Sequence, residues 1–332
     1  MTIHDVARRA GVSPATVSRV LNNSGHPVSP RARARVERTA RTLGYVPNRL
    51  ARSLLTRETA AIGLLVPDVS NPYYAVVLRG IEDAASQAGR AVILCNTDRR
   101  QDKQQVYLRT LLERRVDGLI VAGGTVTAAD LRLVRGLVPM VAIGRHQVPL
   151  PTVRVDNVAA GETAARHLLA LGHRRIACLA GPAASRTVRD RTTGVARALR
   201  AAGVALADQD VVATDFTGPG GYAAARRLLQ RASPPSALIA FSDQVAIGAL
   251  RALHDLGVAV PARVSVVAFD DTPLAAFVIP SLTAISVPMY DLGRRAAALL
   301  LALLAGQPAA SVVLPTQLHV RESTGPAPGH RE

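Results

Sequence analysis

Apolar and polar positions follow two different rhythms along this chain. Over residues 1–60 apolar residues recur three and four apart in short blocks, the spacing of one helix face. Val6, Ala7 and Ala10 share a face of a helix expected over residues 3–10. Gly11 ends it, because glycine accepts the left-handed backbone of a helix stop. Ser13-Pro14 is a start signal, a capping hydroxyl before a residue whose fixed φ suits the first turn. The second helix runs to about residue 21 with Val17, Val20 and Leu21 inward; Asn22-Asn23-Ser24-Gly25 breaks it. Ser29-Pro30 repeats the start, and a third helix carries Val36, Ala40 and Leu43 inward. After Pro47, Leu50, Ala51 and Leu54 beside Arg49 and Arg52 read as one or two helical turns, too short to hold in water alone.

From residue 61 the rhythm changes to short continuous apolar runs, each followed by a helical stretch. Residues 62–66, 91–94, 118–121 and 140–143 form one series of runs, and residues 176–179, 211–213, 237–240 and 264–268 form a second. Helices are expected between them, from Pro72 to Gly89 and over about 101–115, 157–171 and 189–202. Apolar strands separated by helices build parallel sheets covered on both faces. The predicted fold is an all-α helix-turn-helix head with a short helical segment after it, then an α/β region of two doubly wound parallel-sheet subdomains.

Charge gives the head a partner. The chain of 332 residues carries 40 Lys+Arg against 24 Asp+Glu, and Lys103 is the only lysine. Residues 1–60 hold 11 of the arginines against Asp5, Glu37 and Glu58, so half of the +16 excess lies in under a fifth of the chain. Two short helices joined by a tight glycine turn form a helix-turn-helix, whose second helix can enter a major groove. The basic excess then points to nucleic acid. In the α/β region, ligands bind beyond the carboxyl ends of the strands. Those ends carry Asp68, Asp98, Arg145, Phe216, Asp243 and Asp270, a set of acceptors, donors and an aromatic face suited to a polyhydroxylated ligand.

Other classes are excluded by what is missing. A phosphate-binding Gly-x-x-x-x-Gly-Lys cannot occur with Lys103 as the only lysine, and there is no Gly-x-Ser-x-Gly, His-Glu-x-x-His or Cys/His metal spacing. No enzyme activity, metal or cofactor is expected. Gly218-Pro219-Gly220-Gly221 reads as a helix start whose amides could cap a polar ligand, and His173, just after a helix stop, as structural. Cys95 and Cys178 lie far apart in apolar runs, which suits a reducing, cytoplasmic setting. The opening residues have no basic segment leading into an apolar one, so no secretory signal is expected. The longest apolar run, residues 296–305, is too short to span a bilayer.

Three ungapped stretches carry a family resemblance: Thr2 to Ser13, Ala15 to Asn22, and Leu43-Gly44-Tyr45-Val46-Pro47-Asn48. They resemble the head of the LacI/GalR family of bacterial transcription regulators. The resemblance continues through Val66-Pro67-Asp68 to Tyr73-Tyr74, Glu113 to Ile120, Leu171-Gly172-His173, Arg189-Asp190-Arg191 and Val266 to Asp271. It implies that Pro14, Ala15 and Arg19 face bases in the major groove, Arg19 being suited to bidentate contact with guanine. Ser13, Thr16, Ser18, Asn22 and Tyr45 would anchor phosphates, and Thr2 would also contact DNA. Residues 47–54 would form the hinge helix, with Asn48, Arg49 and Arg52 on DNA and Leu54 wedged into the minor groove.

The same resemblance implies a periplasmic-binding-protein-like sensor crossed near residues 159, 289 and 318. The expected divisions are 1–46 for the head, 47–59 for the hinge, 60–159 with 290–318 and 160–289 with 319–324 for the subdomains, and an unstructured tail over 325–332. Arg191 and Asp270 would hold the effector, with Tyr73, Tyr74 and Phe216 as walls; Asp68, Arg145 and Asp243 are expected beside them from their places at the strand ends. Gly144 and Ser242 stand where the family often has Asp and Asn, which removes polar groups from the expected pocket. The expected partners are operator DNA, a second copy of the chain and a small effector, a sugar, with no membrane. A solute-binding protein without a DNA role, or a regulator answering to a nucleoside or a corepressor, are the alternatives; the first of these has no use for the basic head.

Overall fold

The computed structural model describes residues 1–21, 27–45 and 59–329. Two compact units divide at Thr59/Ala60. The first is helical: α1 Ile3–Ala10, α2 Pro14–Leu21 and α3 Pro30–Thr42. Thr2 and Asp5 cap α1 reciprocally, and the Thr2 amide and hydroxyl hold the Asp5 carboxyl below its usual range. Gly11 stops α1 at φ 59°, a conformation in which a side chain is strained. The Ser13 hydroxyl accepts from the Thr16 amide at 3.1 Å, and Ser29 caps α3. Val6, Ala7, Ala10, Val17, Val20, Val36 and Ala40 form the buried centre. Leu21 and Leu43, expected inside, pack only half-buried at its edge.

The second unit contains two six-stranded sheets. In chain order its elements are β1 Ala61–Val66, α4 Pro72–Gln87, β2 Ala91–Asn96, α5 Gln101–Glu113, β3 Gly118–Ala122, α6 Ala128–Val134, β4 Met140–Ile143, β5 Thr152–Val155 and α7 Asn157–Ala170. They continue with β6 Ile176–Ala180, α8 Arg186–Ala201, β7 Val211–Ala213, α9 Gly218–Leu229, β8 Ala237–Ala240, α10 Asp243–Asp255 and β9 Ser265–Asp270. Last come β10 Thr283–Ser286, α11 Met289–Leu304, β11 Val312–Leu314 and β12 Gln317–His319. The first sheet runs β11-β5-β4-β3-β1-β2 and is parallel throughout; the second runs β12-β10-β9-β8-β6-β7, with β12 alone antiparallel. Each sheet is covered on both faces by a separate apolar cluster. The chain passes between the sheets three times: after Val155, between Ser286 and Met289, and between Leu314 and Gln317.

Three helix pairs meet backbone to backbone. A Cβ on Gly80 or Gly293 would strike the main chain of the opposite helix where α4 crosses α11. Gly161 and Gly194 do the same for α7 and α8, and Gly221 and Gly248 for α9 and α10. This corrects the ligand-capping reading of the glycines at 218–221. The Thr217 hydroxyl caps the Gly220 amide, and Gly221 is there for helix contact.

The expected loose tail is also corrected. Residues 325–327 are pinned: the Gly325 carbonyl accepts from the Ser265 hydroxyl at 3.2 Å, and the Ala327 amide donates to the Leu171 carbonyl at 2.8 Å; residues 330–332 of the expected tail lie outside the described residues. His173, fully buried, bonds Ser236 at 2.9 Å, Ser265 at 3.0 Å and the Gly325 carbonyl at 3.1 Å, a structural use. Among the described residues no helix is long and apolar enough to cross a membrane.

Candidate functional site

The helical head presents one polar surface on α2. Ser13, Pro14, Ala15 and Arg19 are exposed there, with Thr16 and Ser18 half-exposed, while Val17 and Val20 face the core. The helical period causes this split: residues 17 and 20 lie one turn apart and inward, which leaves 15, 16, 18 and 19 outward. Ser13 and Thr16 bond each other's hydroxyls at 3.0 Å. Thr2 is engaged in its own cap, and Tyr45 is half-buried against the core. Arg35 donates to the Gly11 carbonyl at 3.3 Å and so fastens α3 to the end of α1. Asn22, Asn48, Arg49, Arg52 and Leu54 lie outside the described residues.

In the second unit the strand ends of both sheets converge on a cavity of about 250 Å³ between the subdomains. Tyr73, Tyr74, Arg145, Arg191, Phe216 and Asp270 all line it. Asn71 starts α4 by accepting from the Tyr73 amide, which turns both tyrosines into the cleft, packed edge to face with centroids 5.0 Å apart. Gly123 leaves room for the Tyr74 hydroxyl, where a Cβ would collide. Burial pushes the Tyr74 phenol up to about 12 and Tyr73 higher still, so both stay protonated donors.

Arg191 is the floor of the site. It is 5% exposed, donates from Nε to Asn157 Oδ1 at 2.9 Å and from Nη1 to the Phe241 carbonyl, and its Nη2 lies 3.6 Å from Asp270 Oδ1. Its guanidinium also lies over the Phe269 ring, 4.1 Å from the centroid. Burial pushes the Asp270 carboxyl up, and Arg191 pulls it back. Asp270 sits at φ 96° and Phe216 at φ 64°, rare for residues with side chains; such strain gathers where a site dictates side-chain direction. The Phe216 ring packs directly on Gly181.

Three contacts cross the cleft mouth. Arg145 faces Asp190 at 3.3 Å, the Arg99 guanidinium lies 5.6 Å from the Phe216 ring centroid, and Gln244 donates to the Ser70 carbonyl at 3.3 Å. Each joins a residue of one subdomain to a residue of the other.

Two expected effector residues do not reach the cavity. Asp68 is used in its own turn, accepting from the Ser70 amide and hydroxyl, and it pairs with Arg99 at 3.3 Å. Asp243 is 2% exposed, begins α10 and accepts from the Thr272 amide, with Oδ1 unpartnered. Burial and the nearby Asp270 push its carboxyl up. Asp98, also at a strand end, is held by Lys103 and Asn96 instead. Gly144 lines the cavity at φ 108°, a backbone that an Asp adopts only with strain, and Ser242 lines it while capping α10 through the Val245 amide.

Sequence reasoning missed Arg99, Arg100, Arg154, Arg186, Gln104 and His146, all of which line the cavity. Arg154 alone left a signal: a charged residue between Val153 and Val155, on the opposite face of a two-residue period. The His146 ring accepts from the Val126 amide through Nδ1 at 3.2 Å, and burial pushes its pKa down.

Comparison with known proteins bears on both units. Residues 2–48 match the model of bacterial regulatory proteins of the lacI family, and residues 59–321 match that of periplasmic binding proteins and the sugar binding domain of the LacI family. Catabolite control protein A of Priestia megaterium is 37% identical over 335 residues, covering 98% of this chain and 99% of the relative. A transcriptional regulator CelR–cellobiose complex is 35% identical with TM-score 0.75, over 97% of this chain and 99% of the other. The lac repressor dimer bound to operator and the anti-inducer ONPF is 31% identical with TM-score 0.88, over 98% and 99% of the two chains.

Proposed function

Because this chain belongs to the LacI family of bacterial regulatory proteins, and so is a DNA-binding transcription regulator and not an enzyme, we propose how its two units divide the work. It acts in the cytoplasm as a homodimeric repressor of carbohydrate-utilisation genes, and a sugar-class effector in the cleft sets its affinity for operator DNA. The observation that carries this reading is the cleft itself, a cavity of about 250 Å³ between two sheets with a buried Arg191–Asp270 pair at its floor.

On the DNA side, Pro14, Ala15 and Arg19 read base edges, and Arg19 matches the two acceptors of guanine. Thr2, Ser13, Thr16, Ser18, Asn22 and Tyr45 hold phosphates and fix register. Asn48, Arg49 and Arg52 continue the contact, with Leu54 as the minor-groove wedge. Two heads on a pseudo-palindromic site supply the specificity that one small head lacks.

On the sensor side, Tyr73, Tyr74 and Phe216 enclose the ligand while Arg145, Arg191 and Asp270 exchange hydrogen bonds with its hydroxyls. Effector binding shifts the equilibrium between two arrangements of the subdomains, by no more than its differential affinity for them. The test is a gel-shift titration of the full chain on operator and on random DNA across salt. Affinity for both should fall steeply with ionic strength through counterion release, with operator always preferred. Weak, salt-insensitive binding without sequence preference would refute the reading.

A further inference from the structure

The charge of the cleft does not suit a neutral sugar. Six arginines line it, Arg99, Arg100, Arg145, Arg154, Arg186 and Arg191, against a single lining carboxylate, Asp270. Four of the six have a carboxylate partner: Arg99 with Asp68, Arg100 with Asp102, Arg145 with Asp190, and Arg191 with Asp270. Among the described residues Arg154 and Arg186 have no carboxylate within ion-pair distance, and the Arg186 Nε is buried without a hydrogen-bond partner. The near absence of lysine explains why these cations are arginines. It does not explain why they crowd one concave surface on which Arg154 and Arg186 are half-buried, where unmatched charge is costly.

The backbone adds to the same field. α5 and α8 both begin at the cleft, and both lack a side-chain cap, at Arg100 and at Ser185. Their first-turn amides and their dipoles favour a negative group in that space. By contrast α4, α7, α9 and α10 each receive a side-chain cap from Asn71, Asp156, Thr217 or Ser242.

We infer that the effector is an anionic sugar, a polyol of monosaccharide size carrying a phosphate or carboxylate group, and that Arg154 and Arg186 receive the anion. The tyrosines, Phe216 and the Arg191–Asp270 pair take the sugar body. Arginine suits the task because its planar fork matches both phosphate and carboxylate oxygens. A cavity of about 250 Å³ lies just below the roughly 300–1,000 Å³ usual for small-molecule sites, which limits the occupant to about one sugar ring and its charged substituent.

This inference rests on reading the cleft as the effector site, so the experiment separates the two claims. The full chain is titrated calorimetrically with glucose and ribose, with glucose 6-phosphate and ribose 5-phosphate, with gluconate and glucuronate, and with inorganic phosphate. At least one phosphorylated or carboxylated sugar should bind tenfold or more tightly than its neutral parent and than inorganic phosphate. The phosphate and carboxylate arms then identify the anion. Arg154→Gln and Arg186→Gln should each weaken that binding at least tenfold, with thermal melts confirming that both variants fold. Neutral sugars binding as tightly as their anionic derivatives would overturn the anion assignment and leave the sugar sensor standing. Inorganic phosphate binding as tightly as the esters would overturn the sugar part. If nothing in the panel binds, both claims fall.

Discussion

Arg191→Met tests how far the sensor depends on its buried ion pair. Methionine keeps much of the length and can still lie on the Phe269 ring, where sulfur–aromatic contact is favourable. It loses the bond to Asn157 Oδ1 (2.9 Å), the bond to the Phe241 carbonyl and the approach to Asp270 (3.6 Å). Asp270, 6% exposed, is then a buried carboxylate without its cation. Removing one partner of a buried pair costs about 3–5 kcal/mol, because the remaining charge is uncompensated. At about 2–4 °C per kcal/mol for a domain of this class, the melting point should drop by about 6–20 °C.

The same experiment carries a pH signature. Burial already pushes Asp270 up, and the variant lacks the guanidinium that pulled it back. A carboxyl whose folded pKa exceeds its unfolded value favours the native state at low pH and loses that advantage as pH rises. The deficit relative to the parent should therefore be largest near pH 7.5 and shrink toward pH 5.5. Urea unfolding followed by far-ultraviolet circular dichroism at both pH values measures it. In the Arg191→Met, Asp270→Asn double variant at least half of the loss should return. A deficit below about 1 kcal/mol at pH 7.5, or one that is equal at both pH values, refutes the argument that the cost lies in an unpaired charge.

Asp243→Asn should flatten the pH dependence of stability. Asp243 is raised by burial and by Asp270, so the parent loses stability as pH climbs from the ordinary carboxylate range toward neutral. Asparagine keeps an acceptor for the Thr272 amide and has no proton to lose. Thermal melts between pH 5 and pH 8 should fall less for the variant; parallel curves would contradict this. Gly194→Ala would push a methyl into the Val158 carbonyl and force α7 from α8. Overpacking of this kind costs about 1–3 kcal/mol, so the melting point should fall by about 2–12 °C, and an unchanged melt would show that the helices can separate freely.

The two rhythms of apolar residues located most of the frame because long apolar runs are unambiguous. β1, β3, β6, β8 and β9 are buried along nearly their whole length and read as strands directly. β11 and β12 did not: Gln317-Leu318-His319 has no apolar run, and Val312-Val313-Leu314 lies at a sheet edge beyond the two regular series with none of its residues fully buried. α8 begins at Arg186, ahead of the expected 189, because its Ser185 start has no side-chain cap bond and its first turn is polar. In the cleft, strand-end position and family likeness together pointed to Arg145, Arg191, Phe216 and Asp270. They could not separate these from Asp68 and Asp243, because an Asp after a strand serves equally well as ligand group, turn former or helix start. The missed arginines come from β5, from the loop before α5 and from the first turn of α8, and only the folded chain brings these three places together.

The glycine-paired helices decide what kind of machine this sensor can be. Where main chains touch, no cushion of side chains remains to slide or yield, so each of these helix pairs holds together as one piece. The three short connectors between the sheets carry no such contact and are the places left to bend. Of the cleft arginines, Arg191 belongs to both parts at once: its side chain lines the cavity while its carbonyl is the surface against which Gly161 packs.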